Sequence, residues 1–394
     1  MPGLVADLRF RGLVHQVTDE ALFDKLDAGG LSAYAGFDPT AASLHIGNLL
    51  QLCLLRRLQL AGHRPIPLLG AGTGFIGDPS GVSDERNLLD REQLAANVEG
   101  IRPQLARFLD FDDSAGPTKA LLADNSDWLA DVTLVEFLRE VGKHATINEM
   151  IRKDSVRSRL ERSNEGISYT EFSYMLLQAY DFLRLHEDQG CDLQLGGSDQ
   201  WGNISLGADV VGKVSGDRVY GLTTPLLTKP DGTKYGKTVD GAVWLDPSLT
   251  SPYRFYQHFL NVEDAAVGRY LRFFTFFSHE EILALDAETA AKPERRAAQR
   301  ALAGATCELV HGPEEAARAE RASAALFGAE LADLDEATLL EVFEDAPSSS
   351  ITRQSLGANG SGSLDMVGAL VASLLCTSMS DARRLVAMGG AYLN

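Results

Sequence analysis

The chain has 394 residues, 45% hydrophobic and 23% charged, with a formal net charge of −19 at pH 7. That length exceeds what one hydrophobic core usually sustains, so two or three domains are expected. The acidic balance excludes a general nucleic-acid binder, although basic islands in an acidic chain still suit a selective RNA contact. Four cysteines with no close pair suggest neither a disulfide framework nor a zinc site. No apolar run approaches a membrane span, and the N-terminus lacks the apolar core of a signal peptide, so a cytoplasmic location is expected.

In chain order, residues 1–30 read as a helical lead-in. Ala33 to Phe37 is a short strand candidate that runs into a turn at Asp38-Pro39. The stretch Tyr34 to Asn48, YAGFDPTAASLHIGN, reads as strand end, turn and helix start, with apolar positions continuing to Leu60 and Gly62 as the stop. A helix start offers free backbone N–H groups and partial positive charge, which suits phosphate. His45 and Asn48, three apart, project to one side of the first turn. Gly47 between them leaves room for a flat ring to approach, and Thr40 adds a hydroxyl upstream. His63 to Gly70 is a second strand, ending in the glycine-dense GAGTGFIGDPSG. Strand, helix, strand with ligand-type residues at strand ends predicts an α/β protein with an open parallel sheet, Rossmann-like and nucleotide-binding. With no GxGxxG after the first strand, NAD is not its expected ligand.

Asp78 sits in the glycine loop beside Pro79. It reads either as a turn aspartate bonded to local backbone or as a carboxylate aimed at a substrate ammonium group. Residues 91–160 alternate helical patterns with a strand candidate from Lys119 to Asp124. On the helix predicted over Ser168 to Leu183, Tyr174, Gln178 and Asp181 share one face, among apolar neighbours where unpartnered polar groups are costly. Cys191 to Leu195 is a further strand, followed by GGSDQWGN from Gly196 to Asn203. Its glycines let backbone approach a ligand, and an acid such as Asp199 just past a strand can take ribose hydroxyls. The loop TKPDGTKYGKTVDG carries Lys234 and Lys237 on flexible stems; alone, it reads equally as a solvated turn. Basic residues cluster at 143–162, including Arg152, Lys153 and Arg157, and again at 292–300, where a solvated helix face and an RNA contact both stay open. After about Leu245 the pattern is helical only. Residues 345–363 form a Ser/Gly-rich linker, and the tail holds an apolar helix and a second one bearing Arg383 and Arg384.

Together, HIGN and KYGKT resemble the paired HIGH and KMSKS signatures of class I aminoacyl-tRNA synthetases. From about Leu31 to the C-terminus the chain is similar to the bacterial-type tyrosyl-tRNA synthetases. The resemblance implies that Tyr34 and Asp181 bind the phenolic hydroxyl of tyrosine and that Tyr174, Gln178 and Asp78 receive its amino group. Gln200 would meet its carbonyl, with Gly36, Asp38 and Gln194 completing the pocket. Asp199 would take the ribose of ATP, with Gly47 and Leu226 on the nucleotide, Leu226 against adenine. Thr40, His45, Asn48, Arg86, Lys234, Lys237 and Thr238 would act on the phosphates, with Mg²⁺ balancing their charge and no metal held by the protein itself. Asn48 stands where the family has histidine; it can donate a hydrogen bond but carries no charge. Val82 stands where some relatives have lysine. A site built to bond the substrate hydroxyl rejects phenylalanine, a case for which tyrosyl enzymes are themselves the standard example. Tryptophanyl enzymes are the nearest rival, and Tyr34, Asp181 and GGSDQWGN favour tyrosine.

The resemblance also implies a catalytic domain over 1–245, with a connective and dimer segment at about 120–165. An α-helical domain over 246–344 would contribute to anticodon recognition. After the linker, 364–394 would form an incomplete version of a small RNA-binding fold shared with a ribosomal protein. Expected partners are tyrosine, ATP, tRNA(Tyr) and a second copy of the chain, with no membrane and no DNA. Arg152, Lys153, Arg157, Arg383 and Arg384 are the tRNA-contact candidates.

Overall fold

The computed structural model describes residues 3–78, 90–153, 156–157, 160, 167–227, 242–325, 339–341, 343 and 366–391. Arg86, Lys234, Lys237, Thr238 and the linker expected at 345–363 lie outside the described residues. The chain divides into two compact units, Met1–Pro313 and Glu314–Asn394.

The first unit is built on a six-stranded sheet ordered β1-β6-β5-β2-β3-β4. Its strands are β1 (Gln16–Val17), β2 (Ser32–Phe37), β3 (Arg64–Leu69), β4 (Ala123–Asp124), β5 (Leu193–Gly197) and β6 (Tyr220–Thr224). β2 to β6 pair in parallel, and β1 runs antiparallel along β6. The helical lead-in is therefore interrupted: β1 lies between α1 (Leu4–Phe10) and α2 (Ala21–Ala28). Two residues show no alternation in sequence, and only pairing with Leu222 and Thr223 makes them a strand.

The strand expected from Lys119 to Asp124 contracts to its last two residues, and β3 explains why. Arg64 donates its N–H to Leu31 O, so alternate donors of β3 face β2, and Pro65 and Pro67 occupy the positions facing β4. Proline has no N–H to give a ladder. Pairing on that side is confined to the short register Leu68↔Ala123 and Leu69↔Asp124, flanked by Leu121 N–H on Pro65 O and Asn125 N–H on Leu69 O. The strand expected at Cys191 starts two residues later, because Cys191 N–H bonds to Leu185 O and closes the preceding helix behind a left-handed Gly190.

Helices complete the layers. α3 (Ile46–Leu60) packs against β2, β3 and β5 and is buried nearly all round, from Ile46 and Leu49 through Leu58, as expected of a helix enclosed on every side. α4 (Arg91–Phe108) is followed by α5 (Ser126–Leu129), α6 (Leu134–Glu140) and α7 (Ile147–Arg152). α8 (Tyr169–Gln189) and α9 (Trp201–Ser215) close a core in which Tyr34, Ile66 and Leu68 meet Met175, Ala179, Phe182, Leu206 and Val210.

Downstream come α10 (Pro252–Leu260), α11 (Asp264–Phe274), α12 (His279–Ala291) and α13 (Ala297–His311). Two buried arginines join this helical layer to the sheet layer. Arg11 donates to the carbonyls of Arg272, Thr275 and Phe277, and Arg57 of α3 donates to Thr275 O. Both therefore satisfy the open C-terminal end of α11. Asp7 neutralises Arg11 at 2.8 Å and also bonds His279 at 2.9 Å. In the second unit, α14 (Pro313–Ala325) begins at the boundary, and α15 (Met366–Ala372) and α16 (Met379–Ala387) form the tail. Among the described residues, no helix is long and apolar enough to cross a membrane.

His63 sits fully buried between α2 and the sheet. Its Nδ1 accepts from Leu31 N–H and its Nε2 faces Leu26 O, an arrangement only the neutral ring fulfils. Burial lowers its pKa from the ordinary 6.5. The stabilisation is complete above that value and is lost as pH falls through the depressed folded value. Melting curves between pH 8 and 5 should show a smaller acid loss for His63→Gln than for the unmodified protein. Equal losses would remove His63 as a source of acid sensitivity.

Candidate active site

All the parallel strands end on one edge, and the first groove there opens at the start of α3. His45 is the N-cap of that helix. Its Nδ1 accepts from Gly47 N–H at 3.0 Å, and Asn48 Oδ1 accepts from His45 N–H at 3.1 Å, a reciprocal capping box. With Nδ1 accepting, the neutral ring carries its proton on Nε2 and can donate it to a ligand. At Gly47 a Cβ would lie 2.6 Å from His45 Cε1, so the missing side chain also makes room for the histidine itself. Asn48 spends its oxygen on the cap and keeps its NH₂ as a donor. His45 is also bridged to Trp244 across an antiparallel contact.

A cleft runs from this helix start to the ends of β2, β3 and β5. Tyr34, Gly36, Asp38, Thr40, His45, Asn48, Asp78, Tyr174, Gln178, Asp181 and Gln200 all line it. The structure thus brings together eleven sequence-derived candidates from four separate parts of the chain. No lysine or arginine is among its described lining residues. One part of it is negative: Asp38 accepts from the Tyr174 hydroxyl at 3.1 Å, and Asp78 accepts from Gln200 Nε2 at 2.5 Å. Burial, then the charges of Asp38, Asp78 and Asp181, hold the Tyr174 hydroxyl well above the usual phenol range. Three carboxylates converging on one buried phenol leave a place for a cation.

The deep end has different chemistry. Asp181 is 3% exposed, and burial pushes its carboxyl up to about 7 against the pull of two hydrogen bonds. These come from Asn125 Nδ2 at 3.0 Å and Trp128 Nε1 at 2.8 Å, one on each oxygen. Nearby, the Tyr34 hydroxyl is buried with no hydrogen-bond partner among the described residues. Its pKa is raised by burial and then by the Asp181 charge. A buried hydroxyl left open costs free energy unless a ligand completes it. A hydroxyl, which both donates and accepts, is the kind of group that could bond both.

Asp199 and Leu226 flank Gly197 at the cleft wall: a Cβ on Gly197 would lie 2.7 Å from Asp199 Oδ1 and 3.2 Å from Leu226 Cδ2. A carboxylate and an apolar side chain around a bare backbone suit a sugar and a flat base. Gln194 is buried but does not line the cleft, and its Oε1 has no partner among the described residues. Of the basic candidates, Arg152 and Arg157 are exposed, whereas Lys153 bonds Ser205 Oγ at 2.9 Å. Arg383 and Arg384 are exposed on α16 in the second unit.

Several site residues escaped the sequence reading. Asn125, fully buried, also holds Gly72 N–H and Thr73 Oγ1. It directly follows β4, so the rule that ligands gather at strand ends could have found it. Asn203 joins Gln178 Oε1 to Gln200 Oε1, and it lies inside the quoted GGSDQWGN. Trp128 carried no signal, since nothing local ties it to Asp181.

A parallel-sheet edge faced by a capped helix start, with an ammonium-type pocket beside it, defines a nucleotide-dependent enzyme that activates an amino acid. The chain belongs to the family described as tRNA synthetases class I (W and Y), which matches residues 27–328. It is 54% identical over 394 residues to a tyrosine–tRNA ligase of Roseiflexus castenholzii, covering 100% of this chain and 91% of that one. A tyrosine–tRNA ligase of Geobacillus kaustophilus is 49% identical over 99% of this chain and 91% of its own. Among solved structures, a C-terminally truncated mitochondrial tyrosyl-tRNA synthetase of Aspergillus nidulans superposes with a TM-score of 0.74. It has 34% identity and covers 83% of this chain and 95% of that chain.

Asn125→Ala deletes one of the two donors that favour ionised Asp181. Its titration should move upward from about 7, and Trp128→Phe should act in the same direction. Carbon-13 carboxyl spectra against pH, with Asp181→Asn for assignment, read this directly. An unmoved titration would show that these bonds do not set the charge.

Proposed function

We propose that this chain activates tyrosine with ATP, releasing pyrophosphate, and transfers the tyrosyl group to the 3′-terminal adenosine of tRNA(Tyr). The observation that carries this reading is the open Tyr34 hydroxyl beside Asp181, at the end of a cleft whose nearer part suits an ammonium group. Tyr34 and Asp181 hold the phenol. Tyr174, Gln178 and Asp78 take the amino group, and Gln200 the carbonyl, with Asp38 and Gly36 shaping the wall. Gln194 supports the pocket from beneath.

The substrate carboxylate attacks the α-phosphate of ATP, the bond to the β-phosphate breaks, and pyrophosphate leaves. No side-chain nucleophile is needed, so the protein's part is positioning and charge stabilisation. The α3 N-terminus, Gly47, Thr40, His45 and Asn48 form the phosphate wall on one side. Asp199 and Leu226 receive ribose and adenine. Arg86, Lys234, Lys237 and Thr238 are assigned to the phosphates from the resemblance. Mg²⁺ travels with the ATP phosphates: the donors at Thr40 and His45 are hydroxyl and imidazole, not the oxygen cage that this ion demands. In the second step a ribose hydroxyl of the tRNA attacks the mixed anhydride carbonyl and AMP leaves.

The same reading assigns 1–245 to catalysis, 246–344 to anticodon contacts, and the tail after the linker to an RNA-binding segment. Arg152, Lys153, Arg157, Arg383 and Arg384 are its basic groups, and the cytoplasm its location. A homodimer is supported by an apolar surface on α6 and α7. There Leu134 is 70% exposed, Val135 74% and Ile147 57%, a concentration that marks an interaction site.

Amino-acid-dependent ATP–pyrophosphate exchange should proceed with tyrosine and not with tryptophan or phenylalanine. Exchange with tryptophan would reassign the pocket, and none with any of the three would refute activation. Tyr34→Phe should narrow the preference for tyrosine over phenylalanine roughly 2- to 12-fold, as a neutral hydrogen bond of about 0.5–1.5 kcal/mol dictates. Val135→Asp should shift the protein to monomers in sedimentation, and an unchanged mass would move the interface elsewhere.

A further inference from the structure

The turn between β2 and α3 places Thr40 and His45, yet residues 39–44 belong to no regular element. Its backbone groups need partners from elsewhere. One face of α4 supplies them. Asn97 Nδ2 donates to Pro39 O at 2.8 Å, and Gln104 Oε1 accepts from Leu44 N–H at 3.0 Å. Gln104 Nε2 donates to Gly100 O at 3.0 Å and reaches Ala42 O at 3.4 Å. Asn97 and Gln104 are buried, which is costly for amides unless the bonds are made. Between them, Gly100 lets the turn touch the helix: a Cβ there would lie 2.3 Å from Ala42 O. Positions 97, 100 and 104 fall on one helical stripe.

The turn is gripped from its other side as well. Ser43 Oγ lies 3.3 Å from Gln104 Oε1 and accepts from Asp246 N–H at 3.0 Å. Leu245 N–H bonds Leu44 O, and Ile46 N–H bonds Val243 O. Gln104 thus locks α4 to the turn, and Ser43, Leu44 and Ile46 lock the turn to the 243–246 segment. The tyrosine end of the cleft depends on other elements, β2, β4 and α8.

We propose that Gln104, assisted by Asn97 and Ser43, is a positioning residue for the nucleotide half of the reaction, fixing the turn that aims Thr40 and His45. Its kinetic consequence rests on the activation reading given above. Gln104→Met keeps the volume and removes both polar ends. It should lower kcat/KM for ATP in pyrophosphate exchange roughly 10- to 100-fold, the scale of small misplacements at a reacting centre. Tyrosine affinity measured without ATP should stay within about twofold. Gln104→Glu, which retains the acceptor for Leu44 N–H, should recover part of the loss. Ser43→Ala, a smaller perturbation, should shift ATP kinetics in the same direction and provides the test if Gln104→Met does not fold.

Unchanged ATP kinetics, or equal losses for tyrosine and ATP, would overturn the proposal. Amide hydrogen exchange at Leu44 supplies a readout independent of activity, and Gln104→Met should accelerate it. If the unmodified protein shows no exchange of pyrophosphate, the activation reading fails by itself. Unaccelerated Leu44 exchange would show separately that Gln104 does not hold the turn.

Discussion

The parallel register of β2 is the constraint on which the site depends. Tyr34 lies level with Ile66 on β3 and Gln194 on β5, so neighbouring strands finish at the same edge. Asp38 after β2, Asn125 after β4 and Gln200 after β5 then converge although far apart in sequence. A slip of one residue would turn Tyr34 away from Phe182, whose ring centroid lies 5.3 Å from its own. α8 contributes the remaining wall through Tyr174, Gln178 and Asp181.

A second constraint is electrostatic. Burying Asp181 disfavours its charge, and its carboxyl near neutrality is the result. Asn125 and Trp128 offset part of that cost, while Tyr34 is left with a hydroxyl nothing else completes. The Tyr34 hydroxyl is thus an open polar group on the cleft wall, and a phenol is a group that could complete it. The other buried charges follow the opposite rule. Arg11 and Arg57 are turned onto the end of α11 and onto Asp7, so they stabilise the layers, although Arg57 Nε has no partner among the described residues. Burial pulls Arg57 down to about 10, still far above neutrality.

The residues that could be read in advance were those with local grammar. α3 was visible from its apolar run and its stop at Gly62, and α8 from the shared face of Tyr174, Gln178 and Asp181. Strands β2 and β3 were visible between turn residues. What failed was pairing: β1 is too short to show a period, and the prolines of β3 shorten its neighbour. At Gly47 the sequence shows the missing side chain but not its neighbour: a Cβ there would meet the His45 ring.

The sequence by itself determined the chemistry of the cleft and the elements that carry it, since side-chain type, turn residues and helical periodicity act over a few residues. Only the tertiary structure decided which polar groups are completed and which are left open. Asn125 and Trp128 reach Asp181, Asn203 links Gln178 to Gln200, and Gln104 holds the turn before α3. Apart from the short Asn203–Gln200 link, these bonds join residues at least 25 positions apart, and sheet register and helix docking bring such groups within hydrogen-bond reach only once the chain has folded.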